Sequence, residues 1–237
     1  VLAAEAFNEA ASSQGAALTG TMRLGLIPTL APYMAPVILD GLPAELPDLH
    51  PELREMVTGD ILDMLGQGRL DAAVIAIDVD LHRTAAVPMF DEPLVVLVPQ
   101  DHPWAGRTDL EPDELEDQRL LLLDEGNCLR DQTLALCQRY GSQPPVAVAT
   151  TLSTVTRMVA HGSGVTIIPE GALQLLTPSS EYGIARFGDE APMRRMGLVH
   201  RVSSSRGADF AQLAELISRL VKEADLPVTP VVAPAAA

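Results

Sequence analysis

Leu70-Asp71-Ala72-Ala73-Val74-Ile75-Ala76-Ile77 is the stretch that decides the fold. It is a short, nearly unbroken apolar run. A strand with one wet face alternates apolar and polar residues, whereas a parallel strand covered on both faces reads like this one. Upstream, Asp60–Gln67 reads as a helix that closes between Gly66 and Gly68, and Leu49–Val57 reads as a strand. Leu30–Leu42 is helical in pattern despite Pro32 and Pro36, so it is expected to kink or to start late. Thr21–Ile27 alternates as a strand. Strand, helix, strand, helix, strand predicts an α/β domain.

The pattern restarts downstream. Leu94–Val98, Leu120–Leu123, Val146–Ala149, Val165–Ile168 and Met196–Val202 read as strands. Pro112–Glu116 and Leu152–His161 read as helices. Ala208–Glu223 is a long helix, with Phe210, Leu213, Leu216, Ile217 and Leu220 on its apolar face. The 237 residues allow one large domain or two small ones, and an apolar content of 47% is enough for a real core. Nothing approaches the roughly 18 apolar residues of a membrane span, and no signal-peptide pattern opens the chain. The expected location is the cytoplasm, where thiols stay reduced unless challenged. The net charge of −16 argues against this chain holding nucleic acid by itself, because phosphate binding needs a basic surface.

The two cysteines, Cys128 and Cys137, lie in Glu125-Gly126-Asn127-Cys128-Leu129-Arg130-Asp131-Gln132-Thr133-Leu134-Ala135-Leu136-Cys137. Gly126-Asn127 is a turn signal; Leu129, Leu136 and Tyr140 fall near one helical face, and Gly141 is placed to end the helix. The nine residues from one cysteine to the other rise about 13.5 Å along a helix. A disulfide needs Cα atoms within about 7 Å. Helix and disulfide therefore exclude each other. Two buried, inert thiols are the ordinary reading of such a pair. Against it, Cys128 is expected at the helix N-terminus with Arg130 two residues on, and both favour a thiolate. An exposed thiolate with a second thiol nearby is the layout of a redox sensor. Cys137, among Leu134 and Leu136, is expected to stay protonated.

Other candidates have plain readings of their own. Thr29 and Thr58 each precede a predicted helix and suit N-caps. Both also lie at carboxyl ends of predicted strands, where an open α/β sheet places its cleft. Arg194 and Arg195 read as a solvated pair. His161-Gly162-Ser163-Gly164 follows a helix and precedes a strand, the reverse of a phosphate loop. No metal-ligand spacing is present, so no metal is expected. Asp40, Asp60, Asp63 and Asp71 read as solvated faces.

Several motifs carry a family resemblance. Asn127-Cys128-Leu129-Arg130-Asp131-Gln132, with Cys137 nine residues after Cys128, resembles the peroxide-sensing segment of the OxyR branch of LysR-type transcriptional regulators. Gly25-Leu26-Ile27-Pro28-Thr29-Leu30-Ala31-Pro32-Tyr33, Phe90-Asp91-Glu92-Pro93-Leu94, Asp101-His102-Pro103-Trp104-Ala105, Gly162-Ser163-Gly164-Val165-Thr166-Ile167-Ile168-Pro169 and Gly197-Leu198-Val199-His200-Arg201 resemble the same effector domain, in family order.

The resemblance implies a two-lobed α/β fold of the periplasmic-binding-protein type, each lobe a Rossmann-like mixed sheet flanked by helices. Lobe one would be 16–91 with 197–225, and lobe two 92–196. Residues 1–15 would end a linker helix, 226–237 would be a disordered tail, and the winged helix-turn-helix that reads DNA would lie outside this chain. The implied function is a regulatory domain of a transcription factor, not an enzyme, with no cofactor. It would sense hydrogen peroxide, Cys128 being the peroxidatic and Cys137 the resolving cysteine. Thr29, Thr58, Asn127 and Arg194 would bind peroxide, with Arg195 the fallback for Arg194. Implied partners are promoter DNA through the missing domain, RNA polymerase, a second copy in a dimer or tetramer, and a thioredoxin- or glutaredoxin-like reductant. No membrane is implied.

Asn127 departs from the histidine usual in that family. A histidine could pass a proton to the departing hydroxide; asparagine cannot near neutral pH. A pocket hydroxyl, His161 or His200 would have to serve instead, or the sensor would be slower. Two other functions fit parts of the sequence. One is a LysR-type effector domain for an organic ligand, with incidental cysteines. The other is a thiol peroxidase, against which stands the absence of Cys-x-x-Cys and of a peroxiredoxin motif.

Overall fold

The structure is a computed structural model that describes residues 18–140, 147–176, 181–189 and 191–231. The chain divides into two compact units. The first takes the described residues of Val1–Ile27, Met34–Phe90 and Arg195–Ala237; the second is Pro28–Tyr33 with Asp91–Arg194. The sequence reading kept Pro28–Tyr33 in the first lobe, whereas here those six residues cluster with the second.

The first unit is built on the stretch that opened the reading. Strand β3 (Ala72–Ala76) is buried at every position. It pairs in parallel with β1 (Gly20–Leu26), Leu24 opposite Ala72, and antiparallel with β9 (Met193–Arg201), Ile75 opposite Gly197. On its other side β1 pairs in parallel with β2 (Leu49–Glu55), Leu24 opposite Leu53. Helix α1 (Ala31–Glu45) starts one residue later than expected and accommodates Pro36 and Pro43 inside it. Helix α2 (Thr58–Gly66) links β2 to β3. The last helix, α5 (Gly207–Glu223), buries Phe210, Leu213, Leu216, Ile217 and Leu220, the stripe that its period predicts. Each such side chain contributes about 1.5–3 kcal/mol by leaving water.

In the second unit, the later part of β4 (Thr84–Pro99) is flanked antiparallel by β7 (Thr166–Pro169) and β8 (Tyr182–Arg186). That explains why Val95, Val96, Leu97 and Val98 are all buried. A two-stranded parallel pair, β5 (Leu121–Leu123) and β6 (Ala147–Ala149), joins the same core through the bridge Leu120–Val165. Helix α3 (Cys128–Tyr140) packs on β5 and on the 3-10 turn Pro112–Asp117; α4 (Leu152–Ala160) packs on β5, β6 and β7. His161 caps the end of α4 and Gly162 turns the chain with φ of +75°, so this glycine motif stops a helix as expected.

Three expectations need correction. Strand β4 is sixteen residues long, beginning at Thr84 rather than Leu94. Strand β8 escaped notice because its buried positions, Gly183 and Ala185, are too small to mark an apolar alternation. The expected disorder of 226–237 fails at its start, where Leu226 is buried, β10 (Thr229–Pro230) joins β4, and the Val231 amide donates to the Met89 carbonyl at 3.0 Å. The linker-helix reading of residues 1–15, the Gly141 cap, Val146 and positions 232–237 lie outside the described residues.

Gly183 tests the packing of the overlooked strand. A Cβ there would stand 2.5 Å from the Cβ of Ala105 and 3.0 Å from its Cα. Because that neighbour is backbone-bound, Gly183→Ala is expected to lower unfolding free energy by about 1–3 kcal/mol, read as a lower urea midpoint.

Candidate functional site

The site begins with a charge that has nowhere to go. Arg194, the second residue of β9, has no solvent exposure, although the sequence reading made it half of a solvated pair. A buried guanidinium persists only if paired and hydrogen-bonded. Glu92 of β4, also fully buried, supplies the pairing: its Oε2 accepts from Arg194 Nε at 2.9 Å and lies 2.8 Å from Nη2. Thr29 Oγ1 accepts from Nη1 at 2.8 Å, and the Thr29 carbonyl accepts from Nη2 at 3.2 Å. The Tyr33 hydroxyl accepts from Nη2 at 2.8 Å and donates to Glu92 Oε1 at 2.7 Å. All four residues belong to the second unit, which is why Pro28–Tyr33 clusters there.

The electrostatics follow from this packing. Burial pushes the Tyr33 phenol well above its ordinary range, with the Glu92 charge adding to the effect and the Arg194 charge opposing it. Tyr33 therefore stays a neutral donor to Glu92. For Arg194, burial works against the charged form, yet the Glu92 charge, with any charge that Tyr33 or Cys128 takes on, holds it above its already high ordinary value. A Cys128 thiolate is thus within electrostatic reach of Arg194.

Cys128 is the first residue of α3 and is a thiol. The turn before it runs through Gly126 at φ +86°, a conformation that glycine adopts without strain. The helix N-terminus offers free amides and a positive dipole end to an anion. Cys128 is 4% exposed, which corrects the expectation of an exposed thiol. Arg130 has turned away from the role given to it, and its Nη1 donates to the Leu123 carbonyl at 3.1 Å. Cys137 lies nine residues along the same unbroken helix, about 13.5 Å away by helical rise. Its side chain lies outside the described residues.

Asn127 holds the N-cap position without capping. Its side-chain nitrogen donates to the Asp124 carbonyl at 3.1 Å. Its Oδ1 is buried and has no partner among the described residues, an acceptor left open beside Cys128. The Thr29 hydroxyl proton likewise donates to no described residue. Thr29 is not the cap expected of it, since its oxygen serves Arg194 and α1 begins two residues later.

Thr58 belongs to the first unit. There it is the first residue of α2 rather than the cap, the cap position being Val57. Its hydroxyl is buried without a partner among the described residues. His200 also lies in the first unit, stacked on Phe210 with ring centroids 4.6 Å apart. His161 is exposed at the end of α4. Among the described residues no cluster of His, Cys, Asp or Glu could hold a metal.

Sequence reasoning quoted Tyr33 and Glu92 inside motifs but gave them no part in the site. The available signal was Glu92 itself, a carboxylate set between Phe90 and the apolar run Leu94–Val98. A charge at the head of a buried strand asks for a buried partner.

Comparison with known proteins agrees with this construction. The family model of the LysR substrate binding domain matches residues 15–222. A probable hydrogen peroxide-inducible genes activator of Mycobacterium leprae is 42% identical over 221 residues, covering 92% of this chain and 71% of that protein. The DNA-binding transcriptional dual regulator OxyR of Escherichia coli K12 is 37% identical over 212 residues, covering 88% and 69%. Among solved structures, a peroxide-bound cysteine-to-serine mutant of Corynebacterium glutamicum OxyR is similar with a TM-score of 0.84 and 40% identity, covering 94% of this chain and 72% of that one. The chain therefore belongs to the LysR substrate-binding-domain family, in its OxyR branch of hydrogen-peroxide-inducible gene activators.

Proposed function

We propose that this chain senses hydrogen peroxide through Cys128 and Cys137 and acts as a stoichiometric switch, not a turnover enzyme. The observation that carries the reading is a buried thiol at a helix N-terminus, in electrostatic reach of a buried arginine. The helix N-terminus and the arginine charge favour the thiolate, the form that attacks peroxide, and offset the burial that disfavours it.

The Cys128 thiolate attacks one peroxide oxygen. An S–O bond forms, the O–O bond breaks, and hydroxide leaves and takes a proton. Cys128 becomes a sulfenic acid. The Cys137 thiol then attacks that sulfur; the S–S bond forms, the S–O bond breaks, and water leaves. Because α3 holds the two positions too far apart to bond, this second step requires the helix to unwind. Oxidation of two thiols supplies the free energy, and the helix is the two-state element.

Thr29, Asn127 and Arg194 are the proposed peroxide contacts. The open Asn127 Oδ1 can accept from a peroxide hydroxyl, and the undirected Thr29 hydroxyl can donate to the departing oxygen. That donor fills the place left by the missing histidine. Thr58 keeps the peroxide-binding role its family position implies, supported by its unused buried hydroxyl. A thioredoxin- or glutaredoxin-like thiol would return the disulfide to dithiol, and a DNA-binding domain outside this chain would read the promoter and present the complex to RNA polymerase.

Stoichiometric peroxide should lower the intact mass by about 2 Da, the two hydrogens lost in one disulfide. An unchanged mass removes the sensor reading and leaves an effector domain for an organic ligand. Cys137→Ser should stop the reaction at a sulfenic acid on Cys128 that dimedone traps; labelling at position 137 of the Cys128→Ser variant instead would reverse the two roles. Thr29→Val removes one hydrogen bond to a charged group, worth roughly 1.5–3 kcal/mol, and should slow oxidation about tenfold or more while the domain stays folded. Thr58→Val should slow it as well. An unchanged rate in either variant takes that threonine out of the site.

A further inference from the structure

The last helix does not end the fold of the first unit. Helix α5 closes at Glu223 and the chain then reverses. The Asp225 amide donates to the Lys222 carbonyl at 3.1 Å and the Leu226 amide to the Val221 carbonyl at 3.3 Å, with Asp225 at φ +54°. That pair of bonds around a left-handed residue is a Schellman turn, which sets the residue after it against the helix. Leu226 and Val221 are accordingly both buried. The Val228 amide donates to the Leu226 carbonyl at 2.8 Å, β10 joins β4, and the Val231 amide reaches the Met89 carbonyl at 3.0 Å. Residues 226–231 lie beyond the 15–222 that the family model matches.

In the order of the sheet β10 is outermost, with β4 next to it and β9 on the far side of β4. Strands β7 and β8 take only the later part of β4, residues 94–99. Without β10, residues 84–90 would be an open edge, and an open edge is a template for a strand of another chain. We propose that residues 226–231 are a guard strand. They occupy the β4 edge and so keep it from pairing with the same edge of a second copy of this chain.

The residues on both sides of the contact fit this role. No charged side chain lies from Thr84 to Phe90, although charge is the usual means of keeping edges apart. Pro88 lacks an N–H, but every carbonyl of the stretch remains an acceptor. The guard is a poor template in its turn. Pro227 and Pro230 have no N–H to offer, so the sheet stops at β10. The partner follows from the kind of contact. Strand pairing is made by backbone groups, and a second copy presents an identical edge. Two identical edges can pair antiparallel about a two-fold axis.

The test compares the 237-residue chain with one that ends at Val228, which keeps Leu226 on its helix and removes β10 and Val231. A second variant, Val231→Pro in the full chain, removes the amide that donates to Met89. Sedimentation equilibrium with reduced thiols reads the weight-average mass over a range of concentrations. At equal concentration the shortened chain should be heavier than the parent, by up to about twofold after allowing for the missing residues. Val231→Pro should shift the mass the same way by less. Hydrogen exchange at residues 84–90 of the shortened chain should slow as concentration rises, which places the new contact on this edge. An unchanged association state in the folded shortened chain overturns the proposal, and so does association without slowing at 84–90. If the shortened chain does not fold, Val231→Pro decides alone by the same two readings.

Discussion

An arginine sealed from water must be neutralised by its immediate surroundings, and the second unit is organised by that requirement. Moving an unpaired guanidinium out of water costs several kcal/mol even after relaxation. Glu92 offsets the charge, and Thr29 and Tyr33 take up remaining donors. Arg194 and these partners come from three separated stretches of chain: the start of β9, the head of the buried β4 run, and Pro28–Tyr33. The short segment Pro28–Tyr33, which carries two of Arg194's partners, groups with the second unit although its last three residues begin α1.

The second constraint is geometric. Helix α3 begins at Cys128 and passes Cys137 without a break. Helical rise keeps the two positions beyond bonding distance, so the reduced form is locked by ordinary backbone hydrogen bonds rather than by any special contact. Leu129, buried against β5 and its neighbours, ties the first turn to the core. Leu136, two turns further on, is partly buried and packs against the same core.

Most of the fold was legible because apolar runs are long where strands are buried on both sides. Ala72–Ala76 and Leu94–Val98 announce themselves this way, as does the five-residue stripe of α5. Strand β8 did not, because glycine and alanine fill its buried positions, and the start of β4, Thr84–Pro88, did not, because its residues are only half-buried and include a proline. Cys128, Asn127, Thr29 and Arg194 were all singled out from the sequence. What it could not convey was how they are held. Burial of Cys128 and Arg194 depends on residues distant in sequence, and local pattern left both on the surface. Tyr33 and Glu92 were overlooked for the same reason, since a carboxylate's purpose becomes visible only once its guanidinium, 102 residues away, is in place.

The depth of Cys128 also acts as a sieve. With Cys128 only 4% exposed, the proposed switch would favour an oxidant of two oxygen atoms over a bulky disulfide such as oxidised glutathione. Discrimination between oxidants then comes from size before reactivity is considered. The same walls bar large reductants for as long as the helix stays wound. Under the proposed switch, repair by a protein thiol would wait until unwinding brought the bond to the surface, so each conformation would be open to one class of reagent and closed to the other.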